Sequence, residues 1–330
     1  MNLENNFNEL YNNFLIEYKS SFDEIADQRL KALYENKKNK IIVRNVEILL
    51  LIVLIFSFIN NKTAGEITVA IFMIYIMLSL TFPIIIVMFK NNSYREYDTI
   101  YKEKITRNFI RYICPTLEYY PNDYIEYNDY KNIAIENCIN FYSKNVIKGT
   151  YKNNRFIASK IHSQYTHYDG PIELKRTRSF NGLYVKFELS KNSNVDLFVK
   201  AKSQLNDKLY DTFALDFNHL MQSEKNNTIS GYKFSLIEND QLNNIFSIYS
   251  SNPNCEIIDQ EISSILRELY NIQEFEFVIK KNYLYIRLWN GYLFSEPALK
   301  NEEFAKKILY DIYKTIYLSF YIFDIIEKKI

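Results

Sequence analysis

The chain has few of the residues on which common catalytic and metal sites depend. Its 330 residues include only six glycines, three histidines and three cysteines. Phosphate-binding loops and nucleophile elbows use glycine where the backbone must approach a ligand closely, and none of the patterns GxGxxG, GxxxxGK[ST] or GxSxG occurs. Cys114, Cys138 and Cys255 are odd in number and far apart. Their spacing fits neither a disulfide framework nor a zinc site, and it predicts buried free thiols in a reducing compartment.

The chain also lacks an excess of charge of either sign. Its 40 lysines and arginines nearly cancel its 39 aspartates and glutamates, which leaves a formal net charge of +1. A basic surface strong enough to attract nucleic acid is therefore not indicated by the composition. We predict no nucleic-acid partner.

Charged residues are missing altogether from 67–89, a run of 23 positions. As a helix this run is about 34 Å long, enough to cross a hydrocarbon core of about 30 Å. The apolar run before it, 48–59, has only 12 residues, and its extension back to Ile41 includes Arg44 and Glu47. A buried core helix is the alternative at that length. We predict a transmembrane hairpin in region 41–89, with spans at about 41–59 and 67–89.

Basic residues flank both predicted spans, whereas the loop between them carries only Lys62. By the positive-inside rule, both termini of such a multi-pass protein lie in the cytoplasm and the chain sits in the inner (plasma) membrane. The flanking residues are also the predicted contacts with anionic lipid headgroups of the bilayer. These residues are Lys37, Lys38, Lys40, Arg44, Lys90 and Arg95.

Apolar residues recur at helical spacing on either side of the predicted hairpin. One stripe runs through region 1–40 from Leu3 to Leu33, and a second runs through region 90–114 from Tyr94 to Tyr112, before Pro115. This periodicity predicts two cytoplasmic amphipathic helices. Each stripe has three possible partners, which are the other helix, the C-terminal domain and a second copy of the chain.

Region 115–330 changes to short strands and turns. Alternating apolar residues predict strands at "RFIASKIHSQY", "GLYVKFEL", "NVDLFVKAK" and "FSIYS", and a hairpin in "FEFVIKKNYLYIRLW" that turns at Lys281–Asn282. Helical patterns predict a helix in "YNDYKNIAIENCINF", residues 127–141, a helix capped by Asp259, and a long C-terminal helix capped by Asn301. The strands do not alternate regularly with helices, which indicates a cytoplasmic α+β domain with mainly antiparallel strands. The apolar run 315–323 is too short to span a membrane and predicts a buried helix.

Three segments of this domain carry a resemblance to a known family: "FNGLYVKFELSKN", "FSIYSSNPNCEIIDQEISSILREL" and "YLYIRLWNGYLFSEPAL". With the helix–hairpin–helix order before them, they resemble the bacterial two-span membrane proteins known as domain of unknown function 3137. That family has "LFEP" where this chain has Ser295 inserted, in "LFSEP". The resemblance implies the same fold and topology and no particular activity.

The best acid–base cluster in the sequence is Asp211, Asp216 and His219, in "DTFALDFNHL". It lacks a nucleophile and a glycine-rich oxyanion loop, so catalysis there is the lesser hypothesis.

His162 and His167 lie five apart on a predicted strand, which directs them to opposite faces and argues against a shared metal. The basic cluster Lys175, Arg176 and Arg178 is assigned to a loop that is either a solvated turn or a contact for lipid or an acidic partner.

These observations lead to one functional hypothesis and one alternative. The hypothesis is a membrane-anchored, non-enzymatic interaction or scaffold module with protein partners, and with self-association open. It involves no catalytic residues, no cofactor and no metal. The alternative is an enzyme that acts on a membrane-associated substrate through Asp211, Asp216 and His219.

Overall fold

In the computed structural model, the chain divides into two compact units. One unit comprises residues 1–3, 109–295 and 307–330, and is called the sheet unit here; the other comprises 4–108 and 296–306, and is called the helical unit. The structure describes residues 3–60, 95–131, 138–169, 174–201, 235–290 except 238, 240, 243 and 253, then 293–294 and 302–330.

The described part of the sheet unit is built on nine antiparallel strands in the order β1-β2-β3-β4-β9-β8-β5-β7-β6. The strands are β1 Leu117–Tyr120, β2 Cys138–Tyr151, β3 Asn154–Asp169, β4 Leu174–Glu188, β5 Leu197–Ala201, β6 Ser235–Ile237, β7 Phe246–Ser250, β8 Phe275–Lys280 and β9 Tyr283–Trp289. The sequence predicts the α+β class and the antiparallel strands correctly. The turn between β8 and β9 is formed by Lys281 and Asn282 as predicted, with Lys281 at a φ of 57°.

Side chains that alternate along the strands give the sheet one aliphatic face and one face of polar and aromatic residues. On the first face, called the aliphatic face here, Leu183 and Val185 of β4 lie beside Ile286 and Leu288 of β9, all fully buried. The second, polar–aromatic face carries the alternate residues, such as Tyr184 and Arg287, which are direct cross-strand partners. Because successive side chains of a strand point to opposite faces, the different composition of the two faces follows directly from the sequence pattern.

Two helices of the sheet unit pack on the aliphatic face through aromatic rings. The Phe187 ring of β4 stacks on Phe323 with centroids 4.5 Å apart, and Phe246 of β7 meets Tyr270 edge-to-face at 5.1 Å. The run 315–323 is a buried part of the last helix, as predicted. Among the described residues, the α-helices with labels in this article are α1 Leu3–Glu17, α2 Lys19–Asn60, α3 Arg107–Ile113, α4 Tyr127–Tyr130, α5 Gln260–Ile272 and α6 Glu302–Glu327.

The helical unit contains α1, α2 and a helical stretch at 95–101 that continues as a π-helical turn, Lys102–Thr106, into α3. The predicted apolar stripes are its buried faces, since Phe7, Phe14 and Ile25 are buried, as are Tyr97 and Tyr101. The predicted single helix over 3–34 is interrupted at Tyr18. Apolar side chains along the second half of α2 are exposed, namely Ile48, Leu49, Leu51, Ile52 and Ile55.

The predicted transmembrane hairpin requires correction. Among the residues that the structure describes, no helix has a stretch long and apolar enough to cross a membrane. The first predicted span, 41–59, lies on α2, where the apolar run after Arg44 and Glu47 is 48–59, which is 12 residues or about 18 Å long. The second predicted span, 67–89, lies outside the described residues. The prediction of a two-span hairpin, and of a multi-pass position in the inner (plasma) membrane with cytoplasmic termini, is therefore wrong for the part of the chain that can be checked.

Candidate interaction site

An open groove lies at the edge of the sheet, where the chain between β1 and α4 runs beside β2. Its volume is about 470 Å³, and it is called the edge groove here. Aromatic side chains dominate its wall, with one carboxylate among them. The lining residues are Tyr124, Ile125, Glu126, Tyr127, Phe141, Tyr142 and Ser143.

The groove exists because β1 covers only half of β2. Strand β1 has four residues and pairs with positions 146–149 of β2, which leaves 138–145 without a β1 partner. Pro121, which lacks a backbone N–H, follows β1 directly. A bulge at Asn145, with a φ of 58°, interrupts β2 at the same point. The Asn145 side chain is buried and accepts a hydrogen bond from the Tyr119 hydroxyl at 2.7 Å, so the bulge is fixed from β1.

Hydrogen bonds to side chains hold the segment 124–127 beside β2. The Ile125 N–H donates to Ser143 Oγ at 2.9 Å, and the Cys138 N–H donates to the Tyr127 hydroxyl at 3.3 Å. Neither contact is a sheet ladder bond. The segment therefore lies against the strand edge and leaves room between the two, which is the edge groove.

The groove has a packed floor and exposed walls. Phe141 is half-buried and its ring lies 5.2 Å from that of Tyr130, which is fully buried behind it. By contrast, Tyr124 is 68% exposed and Tyr142 is 57% exposed. Exposed tyrosines beside buried apolar side chains are a typical feature of surfaces that bind proteins.

A second polar cluster lies inside the sheet unit, on the polar–aromatic face. Lys200, Glu276 and Arg287 occupy neighbouring positions on β5, β8 and β9, and each is only 3–4% exposed. Lys200 Nζ donates to Glu276 Oε1 at 2.9 Å, and the Arg287 guanidinium is bonded to the same oxygen. We call these three residues the buried ion row.

The buried ion row continues to the residues behind the groove. Arg287 donates to the Tyr130 hydroxyl at 2.9 Å, and that hydroxyl also shares a hydrogen bond with Ser163 Oγ at 3.0 Å. Burial by itself raises the pKa of the Glu276 carboxyl, but the charges of Arg287 and Lys200 outweigh it, so the pKa lies below its usual value. The row is closed to solvent, which makes it a structural support of the sheet rather than a substrate site.

Most of the residues singled out by the sequence take no part in either cluster. Asp211, Asp216 and His219 lie outside the described residues, as does Lys90. Lys37, Lys38, Lys40 and Arg44 are exposed on α2, and Arg95 is exposed at the start of the later helical stretch. Contact of these basic residues with lipid stays a prediction.

The other sequence candidates lie on the two longest strands. Lys175, Arg176 and Arg178 belong to β4 and pair with β3, so the prediction that they lie in a loop is wrong. His162 is half-buried on β3 and pairs with Tyr142 of β2. In the part of the chain that the structure describes, no group of histidine, cysteine or acidic residues could hold a metal ion. The three cysteines are free, as predicted, but are half-buried rather than buried.

The sequence analysis missed the edge groove because it assigns 127–141 to one helix. In the structure α4 covers Tyr127–Tyr130 and β2 begins at Cys138, so the predicted helix is wrong over 138–141, while 132–137 lie outside the described residues. The available signal was the segment "PNDYIEYNDY", in which Pro121 is followed by three tyrosines at a spacing of three. Because a spacing of three is close to one turn of helix, the sequence does not show that Tyr124 is exposed beside a strand edge.

Comparisons with known proteins add no family to this description. No family model matches the chain, and no curated protein matches it. The proposed likeness to domain of unknown function 3137 therefore stays a prediction. Among solved structures, the mycobacterial trehalose monomycolate transport factor A, TtfA, is similar with a TM-score of 0.24 and 8% identity, over 53% of this chain and 73% of that one. A likeness at this level carries no argument about fold or function.

Proposed function

We propose that the chain is a non-enzymatic interaction module that binds a protein partner at the edge groove. The observation that carries the proposal is the pair of exposed tyrosines, Tyr124 and Tyr142, which line the groove together with the apolar residues Phe141 and Ile125. Tyrosine offers a large contact area with few rotatable bonds, so it loses little entropy on binding and is enriched at binding hot spots.

The rigidity of the groove supports the same proposal. Phe141 packs on Tyr130, and the hydroxyl of Tyr130 is held by Arg287 and Ser163. The wall opposite is tied to β2 through Ser143 and Cys138. A surface that is already ordered before binding avoids part of the entropic cost of association.

The experiment that tests the proposal is site-specific photo-crosslinking in the cells that make the protein. A benzophenone amino acid replaces Tyr124 in the full chain, and a matched chain carries it at Tyr34, which is 70% exposed on α2. We expect a crosslinked protein at position 124 that is absent at position 34. The purified partner should then bind the Tyr124→Ala chain at least about tenfold more weakly than the wild type, a typical hot-spot loss.

Two results would contradict the proposal. One is a partner that binds Tyr124→Ala and the wild type equally well. The other is a crosslink at position 124 only to a second copy of the chain, which would make the groove a self-association surface.

A further inference from the structure

The edge groove combines aromatic rings with a single charged residue. Four of its seven lining residues are aromatic, namely Tyr124, Tyr127, Phe141 and Tyr142. Glu126 is the one lining residue that carries a negative charge. We propose that the edge groove recognises the guanidinium of an arginine side chain presented by the partner protein. This inference rests on the proposed function and names the chemistry that the partner must offer.

The first argument is the availability of ring faces. Neither the Tyr124 ring nor the Tyr142 ring stacks on another aromatic ring among the described residues, and both are more than half exposed. The face of an aromatic ring attracts cations within about 6 Å of its centroid. Lys144 Nζ already lies 5.7 Å from the Tyr142 ring centroid, so among the described residues Tyr124 is the exposed ring of the groove that is open to an incoming cation.

The second argument is the charge of the lining. Glu126 is exposed, and its carboxylate makes no hydrogen bond or ion pair with any residue that the structure describes. The neighbouring acids are engaged, since Asp123 pairs with Lys148 at 2.7 Å and Asp129 lies 3.9 Å from Lys186. Glu126 is therefore the carboxylate that an incoming cation can meet in the groove.

The third argument distinguishes arginine from lysine. A guanidinium is planar, stacks on aromatic faces and can donate two parallel hydrogen bonds to one carboxylate. An ammonium is a compact charge that is more strongly hydrated, so it loses more on entering an aromatic groove. The mixture of flat rings and one carboxylate in the edge groove matches the guanidinium better.

Lys144 is the cation that opposes binding. It lies over the ring of Tyr142, which lines the groove, and repels a second positive charge there. Its removal should therefore strengthen binding of a guanidinium, whereas removal of Glu126 should weaken it. Opposite effects from a Glu126 and a Lys144 substitution are a signature that a general loss of structure does not produce.

The test uses the full chain and small probes of defined charge. N-acetyl-arginine amide is titrated in saturation-transfer NMR, beside N-acetyl-citrulline amide, which has nearly the same shape without the charge. We expect the arginine probe to bind about tenfold more tightly than the citrulline probe. Tyr124→Ala should abolish most of this preference, Glu126→Gln should reduce it, and Lys144→Gln should increase it.

Matched control variants come from the same chain. Tyr34→Ala removes a tyrosine of similar exposure on α2, and Glu268→Gln removes an exposed carboxylate on α5. Both should bind the arginine probe as the wild type does. Equal binding of the two probes would overturn the inference, as would a preference for choline over the arginine probe. If the partner protein still loses affinity with Tyr124→Ala while Glu126→Gln changes nothing, the groove binds protein but not through arginine.

Discussion

At the scale of single residues, the buried ion row is the most consequential feature of the sheet unit. Lys200, Glu276 and Arg287 alternate along their strands with large apolar residues, a pattern that normally places charged side chains in solvent. In this sheet both faces are covered around the row, so two cations share one carboxylate away from water. Single-strand periodicity cannot show this, because burial of the second face depends on other parts of the chain.

Removal of the shared carboxylate should be costly. Glu276→Gln leaves Arg287 and Lys200 buried without their common anion, so we expect the free energy of unfolding to fall by about 3–5 kcal/mol. Urea denaturation followed by tryptophan fluorescence measures this directly, because the single tryptophan, Trp289, lies on β9. The control Glu268→Gln should stay within about 0.5 kcal/mol of the wild type. A loss of less than about 1 kcal/mol in Glu276→Gln would contradict the structural role of the row.

The stability contributed by Glu276 should depend on pH with a defined sign. Its pKa in the folded chain lies below the usual value of 4.5. A carboxyl with a lowered pKa stabilises the fold fully above that usual value, and the contribution disappears as pH falls through the folded pKa. The difference in unfolding free energy between wild type and Glu276→Gln should therefore shrink below about pH 4.5. A difference that grows on acidification would refute the assignment.

At the scale of secondary-structure elements, Gly182 controls the pairing of β4 with β9. A Cβ atom at this position would collide with the carbonyl oxygen of Leu288 and press on the backbone nitrogen of Asn290. Both obstacles are backbone atoms of the neighbouring strand segment, which cannot move aside without breaking the pairing.

Substitution of Gly182 should therefore destabilise the sheet in proportion to size. We expect Gly182→Ala to lower the free energy of unfolding by about 1–3 kcal/mol, and Gly182→Val to lower it further. Urea denaturation of the two variants gives the comparison. Equal stability of Gly182→Ala and wild type would show that β9 does not approach β4 as closely as the structure indicates.

The start of α5 is an element that the sequence predicts correctly. Asp259 caps the helix as expected, with its carboxylate accepting the Ile262 N–H at 2.9 Å, and Lys329 beyond the end of α6 contacts the same carboxylate. Asp259→Ala should lower the urea midpoint, whereas Asp259→Asn should lower it less, because asparagine also caps helices well. A lower urea midpoint for Asp259→Asn than for Asp259→Ala would contradict a capping role. The charge contact with Lys329 would then be the remaining contribution of Asp259.

The elements that the sequence predicts correctly are those determined by residues close together in the chain. The helix Gln260–Ile272 and the hairpin at Lys281–Asn282 depend on capping and turn chemistry within a few residues, and the sequence predicts both. Strand β1 has only four residues, and the first half of β2 follows a tyrosine-rich segment with helical spacing. These parts gain their structure from cross-strand pairing, which a single sequence does not display. The edge groove is missed for the same reason.

At the scale of the whole molecule, the two units differ in how far the sequence predicts them. The apolar stripes of the helical unit identify its buried faces, because a helix with a periodic stripe buries that stripe. The transmembrane prediction fails on α2, because the predicted span reaches 19 residues only by including Arg44 and Glu47, and the apolar run 48–59 has 12. An apolar run without a periodic pattern, such as 48–59 of α2, does not by itself show whether lipid or protein covers the helix.

The proposed function likewise belongs to the whole molecule, because a stable sheet presents the edge groove. The ion row and the packed ring of Tyr130 hold Phe141 in place, while Tyr124 and Tyr142 line the same groove as exposed side chains. Function on this account depends on the surface of the groove rather than on any reacting group. Changes to Tyr124 should leave the unfolding free energy within about 0.5 kcal/mol of the wild type, as expected for an exposed side chain.

The most direct test of the account is the dissociation constant of the crosslinked partner for three purified full-length chains. The chains are the wild type, Tyr124→Ala in the edge groove and Tyr34→Ala on α2. We predict that Tyr124→Ala binds at least about tenfold more weakly, while Tyr34→Ala binds as the wild type does. Equal dissociation constants for all three chains would contradict the assignment of the edge groove as the binding surface.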